Sequence, residues 1–338
     1  VKFRCRRLKS GWEKNERGAV ICAHAYFPTP KFFHMKKLGV MSFNEKHEHA
    51  MRRALELALN GPAKGLNPRV GAVLITASGE IVGEGWHRGS GTDHAEVAAL
   101  KDLQANGRAN FNGPIATGLT AVVTLEPCNH TGKTGPCAQA LITAGVERVI
   151  FATKDPGLNS SGGAATLRDS GIEVDSGLLE SEAEELIRVW ATATRQQRPF
   201  VTLKYGSSLD GRSAAADGSS KWITGPEARR DVHRRRTQID AILVGTGTVI
   251  ADDPELTARH LDGSLYSEQP IRVILGETQL DPAARIFDES EGKSKTVQLH
   301  TRDLNSALST LFEMGVRHLM VEGGAIVASE FVRHNLVD

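Results

Sequence analysis

Residues 121–153 read AVVTLEPCNHTGKTGPCAQALITAGVERVIFAT. A β-rich run from Ala121 to Leu125 stops at Glu126-Pro127, Pro136 opens an apolar stretch that ends at Ala144-Gly145, and Val146 to Thr153 is β-rich again. Proline suits the first turn of a helix and glycine its end, so the segment predicts strand, loop, helix, strand. Strands alternating with helices bury a sheet between helical layers, which makes this an α/β sandwich. Cys128 then stands at the end of a strand and Cys137 at the start of a helix.

The residues before this segment extend the pattern. Met51, Ala54, Leu55, Ala58 and Leu59 recur at helical spacing with Gly61 after them, which predicts an amphipathic helix. Val70–Thr76 and Glu80–Trp86 flank Ala77-Ser78-Gly79 and predict a hairpin, and a helix follows from about Asp93 to Ala105. Beyond the segment, Thr192–Pro199 (TATRQQRP) is polar and ends in proline, so the domain boundary is placed there. The second half alternates again, with strands near 200–205, 239–244, 271–275 and 317–322 and helices near 226–236 and 325–334.

With 338 residues the chain has room for about two domains, each with its own core. Hydrophobic residues at 40% and charged residues at 24% describe a globular protein rather than a disordered one. No apolar run approaches the ~20 residues that span a bilayer, so no membrane partner is expected. Residues 1–40 hold ten of the 41 Lys/Arg and two of the 40 Asp/Glu, leaving 31 against 38 in an acidic body. An acidic body argues against a nucleic-acid partner. The basic stretch shows no helical or strand period and reads as an upstream extension rather than a targeting segment, with Met41 just before the first periodic helix. Cys5 and Cys22 lie in it; four cysteines are too few for a disulfide framework, and reduced metal ligands in a cytoplasmic enzyme fit better.

His94-Ala95-Glu96 opens a helix, and with Cys128 and Cys137 it offers one imidazole and two thiolates. Zinc takes such a set tetrahedrally, and three protein ligands leave a fourth position for water, the mark of a catalytic site. One zinc per chain is expected, with Glu96 free to move protons. This is the pattern of zinc nucleobase deaminases, except that eight residues (NHTGKTGP) separate the cysteines instead of two. A purely structural zinc, with His130 as fourth ligand, is the alternative. His87 follows a strand and reads as a surface or hairpin residue.

Asn67-Pro68-Arg69-Val70-Gly71, His94-Ala95-Glu96-Val97 and TLEPCNHTGKTGPC from Thr124 to Cys137 resemble the bifunctional riboflavin-biosynthesis deaminase-reductases, over about residues 45–338. The resemblance implies a cytidine-deaminase-like three-layer α/β/α domain over 41–195 and a dihydrofolate-reductase-like α/β domain using NADPH over 196–338. It implies a small phosphorylated pyrimidine as substrate: a diaminopyrimidinone carrying ribosylamine 5-phosphate loses its 2-amino group, with Glu96 as proton shuttle and Asn67, Asn129, His130 and Lys133 lining the pocket. Asn67 before Pro68 also suits a plain turn, and His130 and Lys133 also suit a solvated loop. A free-base or tRNA deaminase with an unrelated appendage, or a zinc-stabilised binding module, are the competing readings. Oligomeric state is left open, a homo-oligomer included.

In the second half, Lys204 stands in an otherwise apolar strand, where it wants an anion, and Gly245-Thr246-Gly247-Thr248 and Glu322-Gly323-Gly324 mark strand-to-helix turns. Such glycines suit backbone approach to phosphate, yet Gly245-x-Gly247 does not complete a dinucleotide fingerprint. The resemblance implies NADPH contacts at Gly206, Trp222, Thr248, Asp252, Gly323 and Gly324. It implies substrate contacts at Lys204, Ser220, Arg236, Leu256, Arg259 and Glu322, and reduction of the ribosyl group to ribityl. Arg236 and Arg259 suit a bidentate grip on phosphate, while Arg229, Arg230, Arg234 and Arg235 read as a solvated face. Two features depart from the family: Gly276-Glu277 follows the strand Ile271–Leu275 where an acidic residue is usual, and the sequence stops at Asp338 where relatives run on into further strands. An unpaired sheet edge and a weak reductase are expected from the second.

Overall fold

The computed structural model describes residues 43–109, 113–132, 134–216 and 223–338. The basic extension lies outside the described residues. In α1 (Glu45–Ala58) the Asn44 side chain caps the helix by accepting the His47 N–H at 3.1 Å, and Ala50, Met51, Ala54 and Leu57 form the buried stripe. Leu59 falls just past the helix end and is exposed, so the apolar face is one residue shorter than its period predicts.

The hairpin β1 (Gly71–Ile75) and β2 (Ile81–Trp86) comes next, then α2 (Ala95–Ala105), β3 (Thr120–Leu125), α3 (Cys137–Ala144), β4 (Arg148–Thr153), α4 (Gly163–Asp169), β5 (Glu173–Ser176) and α5 (Glu180–Gln196). The sheet order is β2-β1-β3-β4-β5, with β1 antiparallel to both neighbours and β3 to β5 parallel. Because strand side chains alternate, Val73, Ile75 and Val122 pack with α1, while Ala72, Leu74 and Val123 pack with α2 and α3 on the opposite face. Three layers result. A Cβ on Gly85 would come within 2.4 Å of Ala95 O and Ala99 N, so only glycine lets α2 rest directly on β2.

The second sheet is built from β6 (Phe200–Leu203), β7 (Ala241–Gly245), β8 (Ile271–Leu275), β9 (Thr296–Leu299) and β10 (His318–Val321), all parallel in the order β6-β10-β7-β8-β9. Its helices are α6 (Pro226–Arg236), α7 (Thr246–Asp252), α8 (Leu304–Glu313) and α9 (Ala325–Arg333). Crossover helices are what parallel pairing requires. At the edge strand β6, the Asp338 N–H donates to Val201 O at 3.0 Å, and its carboxylate takes the Val201 N–H at 2.8 Å and both Arg198 Nη atoms. That edge is therefore partly paired, where a bare one was expected.

Residues 42–338 gather into one compact unit, and the change of sheet falls between α5 and β6. The polar run from Thr192 is not a linker from its start: α5 continues through Gln196, since Ala191 and Ala193 are buried, and ends where Gln197 turns left-handed at φ 53°. Among the described residues no helix is long and apolar enough to cross a membrane.

Candidate active sites

The parallel strands β3 and β4 end at one edge of the first sheet, the usual place for a ligand site in α/β folds. His94 is the N-cap of α2 and Cys137 the first residue of α3, so two helix N-termini meet Cys128 at the end of β3. The long inter-cysteine loop returns on itself: the Cys137 N–H donates to Cys128 Sγ at 3.4 Å and the Ala138 N–H to Cys128 O at 3.1 Å. His94 Nδ1 lies 3.5 Å from Cys128 Sγ and 3.2 Å from Cys137 Sγ, and all three ligand atoms fall within 4.8 Å of one another. Zinc–sulfur and zinc–nitrogen bonds in a tetrahedron predict N···S edges of about 3.6 Å. The residues fit a zinc ion, and among the described residues only these three cluster so.

The Cys128 thiol is drawn down to about 4 by hydrogen bonding from Cys137 and His94, while the same contact and burial push Cys137 up. Metal binding displaces protons from such a thiol pair. Glu96 is 5% exposed in the first turn of α2, and burial raises its carboxyl to about 7. His130 lies on the wall of the adjoining cavity and outside the ligand cluster, which sets aside the four-ligand structural zinc.

That cavity, of about 640 Å³, is lined by His94, Glu96, Cys128, Asn67 and His130, with residues of the β4–α4 connection and with Phe312 and Arg317 from the second half. Asn129 is exposed and absent from the lining; its backbone N–H instead holds Ser160 O at 2.9 Å, a correction to its expected place. Lys133 lies outside the described residues. His87 is also corrected: it is 3% exposed, edge-on to His94 with ring centroids 5.2 Å apart. Its Nδ1 faces Asp93 O at 3.0 Å, and a carbonyl can only accept, so Nδ1 carries the proton and Nε2 accepts from Asn67 Nδ2 at 2.8 Å. Burial lowers the His87 pKa and keeps the ring neutral. Asn67 Oδ1 is thereby left for a donor in the cavity. The signal that could have found His87 is its place at the end of a buried strand, one residue past Trp86.

Serine in place of Cys137 is expected to lose zinc, because a hydroxyl at that position stays protonated where a thiolate ligates. Metal analysis of Cys137→Ser beside the parent chain checks this, and a full complement of zinc in the variant would remove Cys137 from the ligand set.

In the second sheet the C-terminal ends of β6, β7 and β10 converge. Glu322, 7% exposed in its side chain, accepts from Lys204 Nζ at 3.0 Å and from Arg236 Nε and Nη2 at 2.9 Å each, so the anion that Lys204 wants is Glu322. Arg236 spends its remaining edge on Thr257 O at 2.8 Å. A free bidentate grip by Arg236 is therefore corrected to a paired guanidinium. Among the described residues Arg259 is held at one end, by Glu255 Oε2 at 3.2 Å and Thr257 Oγ1 at 3.0 Å. Leu256 takes φ 53° and packs its side chain in the core with Val249 and Ile274, so only its backbone is offered to a ligand. His233, unremarked in the sequence, stands one turn before Arg236; burial, Arg236 and Arg259 hold it down to about 4, and its Nδ1–H donates to Thr257 O. Arg230, Arg234 and Arg235 are exposed as expected, whereas Arg229 is half-buried and donates to Thr224 O.

The Gly324 N–H donates to Thr248 Oγ1 at 3.2 Å, joining the β7–α7 turn to the start of α9. A Cβ on Gly247 would meet nothing within 4 Å, so a ligand can approach this backbone. Gly206 follows β6, beside Thr224, and Asp252 ends α7. The departure at Gly276 has a cause: its φ is 129° and a Cβ would sit 3.1 Å from Thr246 Oγ1, so glycine lets the end of β8 lie against α7. These turns fit a dinucleotide cofactor. Ser220 and Trp222 lie outside the described residues.

Two family profiles divide the chain: the cytidine and deoxycytidylate deaminase zinc-binding region matches residues 44–153, and the RibD C-terminal domain matches residues 199–338. The riboflavin biosynthesis protein RibD of Mycobacterium tuberculosis (strain ATCC 25618 / H37Rv) is 46% identical over 272 residues, 80% of this chain and 76% of that protein. RibD of Escherichia coli (strain K12) is 40% identical over 322 residues, 86% of this chain and 85% of that protein. Among solved structures, the diaminohydroxyphosphoribosylaminopyrimidine deaminase / 5-amino-6-(5-phosphoribosylamino)uracil reductase of Thermotoga maritima aligns with TM-score 0.73 at 38% identity, covering 86% of this chain and 84% of that one. RibD of Acinetobacter baumannii aligns with TM-score 0.76 at 38% identity, covering 87% and 85%.

Proposed function

The chain belongs to the RibD family of bifunctional deaminase-reductases of riboflavin biosynthesis, and from that premise we propose how its own residues divide the two reactions. It is a zinc-dependent deaminase and an NADPH-dependent reductase; the deaminase work is assigned to residues 41–195 and the reductase work to 196–338. The substrate is the diaminopyrimidinone carrying ribosylamine 5-phosphate. A cytoplasmic setting is part of this reading, and two cysteines kept as thiols for metal ligation are consistent with it.

His94, Cys128 and Cys137 would hold the zinc ion, whose contribution when bound would be to make water acidic enough to act at neutral pH. Glu96 takes a proton from water as a C–O bond forms at ring C2, and returns it to the amino nitrogen as the C–N bond breaks and ammonia leaves. Asn67, aimed by His87, accepts a hydrogen bond from the ring. NADPH supplies hydride for the second step. In that step the N–H proton of the ribosylamine passes to the ring oxygen as the C1–O bond breaks and a C1=N imine forms; hydride at C1 together with a proton from solvent on the nitrogen would then give the ribitylamine. Gly206, Thr248, Asp252, Gly323 and Gly324 would hold the cofactor, and the Lys204–Glu322–Arg236 cluster would face the substrate while Arg259 would take its phosphate.

The observation that carries this reading is the buried Glu96 beside three ligand atoms in one cavity. The test incubates the zinc-loaded chain with the diaminopyrimidinone phosphate, with and without NADPH, and identifies products by mass. Ammonia release without NADPH and a ribitylamino product only with it are expected; an unchanged substrate in both tubes would overturn the assignment.

A further inference from the structure

Glu126 is buried, 8% exposed, and among the described residues no Lys or Arg forms an ion pair with it. Its carboxylate instead takes three backbone N–H groups, those of Asp155 at 3.3 Å on Oε2 and of Gly162 at 3.3 Å and Ala164 at 3.1 Å on Oε1. These donors flank the connection between β4 and α4, a loop that leaves the sheet after Thr153 and rejoins a helix at Gly163. One side chain therefore holds both ends. Two neighbours grip the same loop. A Cβ on Gly163 would lie 1.8 Å from Pro127 O, so the start of α4 is wedged against the residue after Glu126. The Asn129 N–H holds Ser160 O at 2.9 Å. Between Pro127 and Asn129 stands Cys128, the zinc ligand.

The loop has a function-bearing face, since Asp155, Gly157, Leu158, Asn159 and Ser160 all line the cavity that contains Glu96 and His94. Leu158, one of these lining residues, is 89% exposed. Charged hydrogen bonds to backbone N–H groups are strong, and buried amides left without an acceptor are costly, so the carboxylate fixes this loop in one place. We propose that Glu126 is a positioning residue for deamination: by tethering both ends of the 155–164 loop beside Cys128 it sets the cavity wall that recognises the pyrimidine substrate. The proposal rests on the deaminase reading above, and it concerns substrate binding rather than proton transfer.

Glu126→Ala and Glu126→Gln, prepared as zinc-loaded full chains, test it. In Glu126→Ala, zinc content and reductase KM are expected to hold, amide exchange at 155–164 to speed up, and KM for deamination to rise about tenfold with kcat within about threefold. Glu126→Gln keeps one carbonyl oxygen for Gly162 and Ala164 and is expected to recover part of both effects; it also keeps the test alive should the alanine variant fail to fold. A purely structural role would lower stability and zinc without splitting KM from kcat. Unchanged exchange in the loop, or faster exchange with an unchanged KM, would overturn the proposal. Should the parent chain release no ammonia at all, the deaminase reading itself fails, and the exchange measurement still decides the tether.

Discussion

Glutamine at position 96 is expected to cut ammonia release by about 10²- to 10⁴-fold while leaving zinc content, melting temperature and reduction of the deaminated substrate as in the parent chain. The side chain lies in the first turn of α2, two residues after the ligand His94, and it is 5% exposed, so an amide of the same shape keeps the packing. What it cannot keep is a titrating oxygen. Hydrolytic deamination moves a proton from water to a leaving nitrogen, and no other carboxyl stands in the first turn of that helix. The zinc ligands are untouched, so metal analysis separates this loss from loss of the site. NADPH oxidation with the deaminated substrate reports the second sheet independently. A Glu96→Gln chain that releases ammonia near the parent rate would take Glu96 out of the mechanism.

The zinc site was the most legible part of the sequence because its ligands occupy element termini that Pro136, Gly145 and the β-rich runs announce. Its surroundings were less so. His87 looked like a hairpin residue because its partners, Asn67 and Asp93, lie 20 and 6 positions away, and only folding makes it a buried relay. Arg236 and Glu322 are 86 positions apart, so the pairing that occupies Arg236 has no local signature. Helix α8 was different: Asp303 caps it and Leu304, Ala307, Leu308 and Leu311 keep a plain helical period, so its signal was present and unused. The short strands β5 and β9, of four residues each and only partly buried, carry too little alternation to stand out. Arg317 and Phe312 reach the deaminase cavity from the second half, a contact that a reading of two separate domains does not anticipate.

Glu322→Gln is expected to lower the melting temperature of the second sheet by about 10 °C and to cut reductase turnover about 10²-fold, with ammonia release retained. One carboxylate neutralises two cations there, and Arg236 is only 10% exposed in its side chain. Removing the anion leaves that guanidinium buried without a counter-charge, a loss of about 3–5 kcal/mol for a broken buried pair. Glutamine still accepts one hydrogen bond, so the fold survives while the cluster loosens. Glu322 also directly follows β10 and precedes Gly323-Gly324, so its displacement moves the turn that Thr248 ties to the start of α9. The same pair fixes the response to acid. Burial alone would push the Glu322 carboxyl up, but Arg236 and Lys204 outweigh it and hold the group below its ordinary 4.5. A folded-state value below the unfolded one gives stability that is complete above about pH 4.5 and is lost as pH falls through the depressed value. The gap in melting temperature between the parent chain and Glu322→Gln should therefore be widest near neutrality and shrink below pH 4.5. Calorimetry across that range, with NADPH oxidation and ammonia release followed separately, checks both effects. A gap that stayed constant into acid would mean that Glu322 stabilises the sheet by packing and not by its charge.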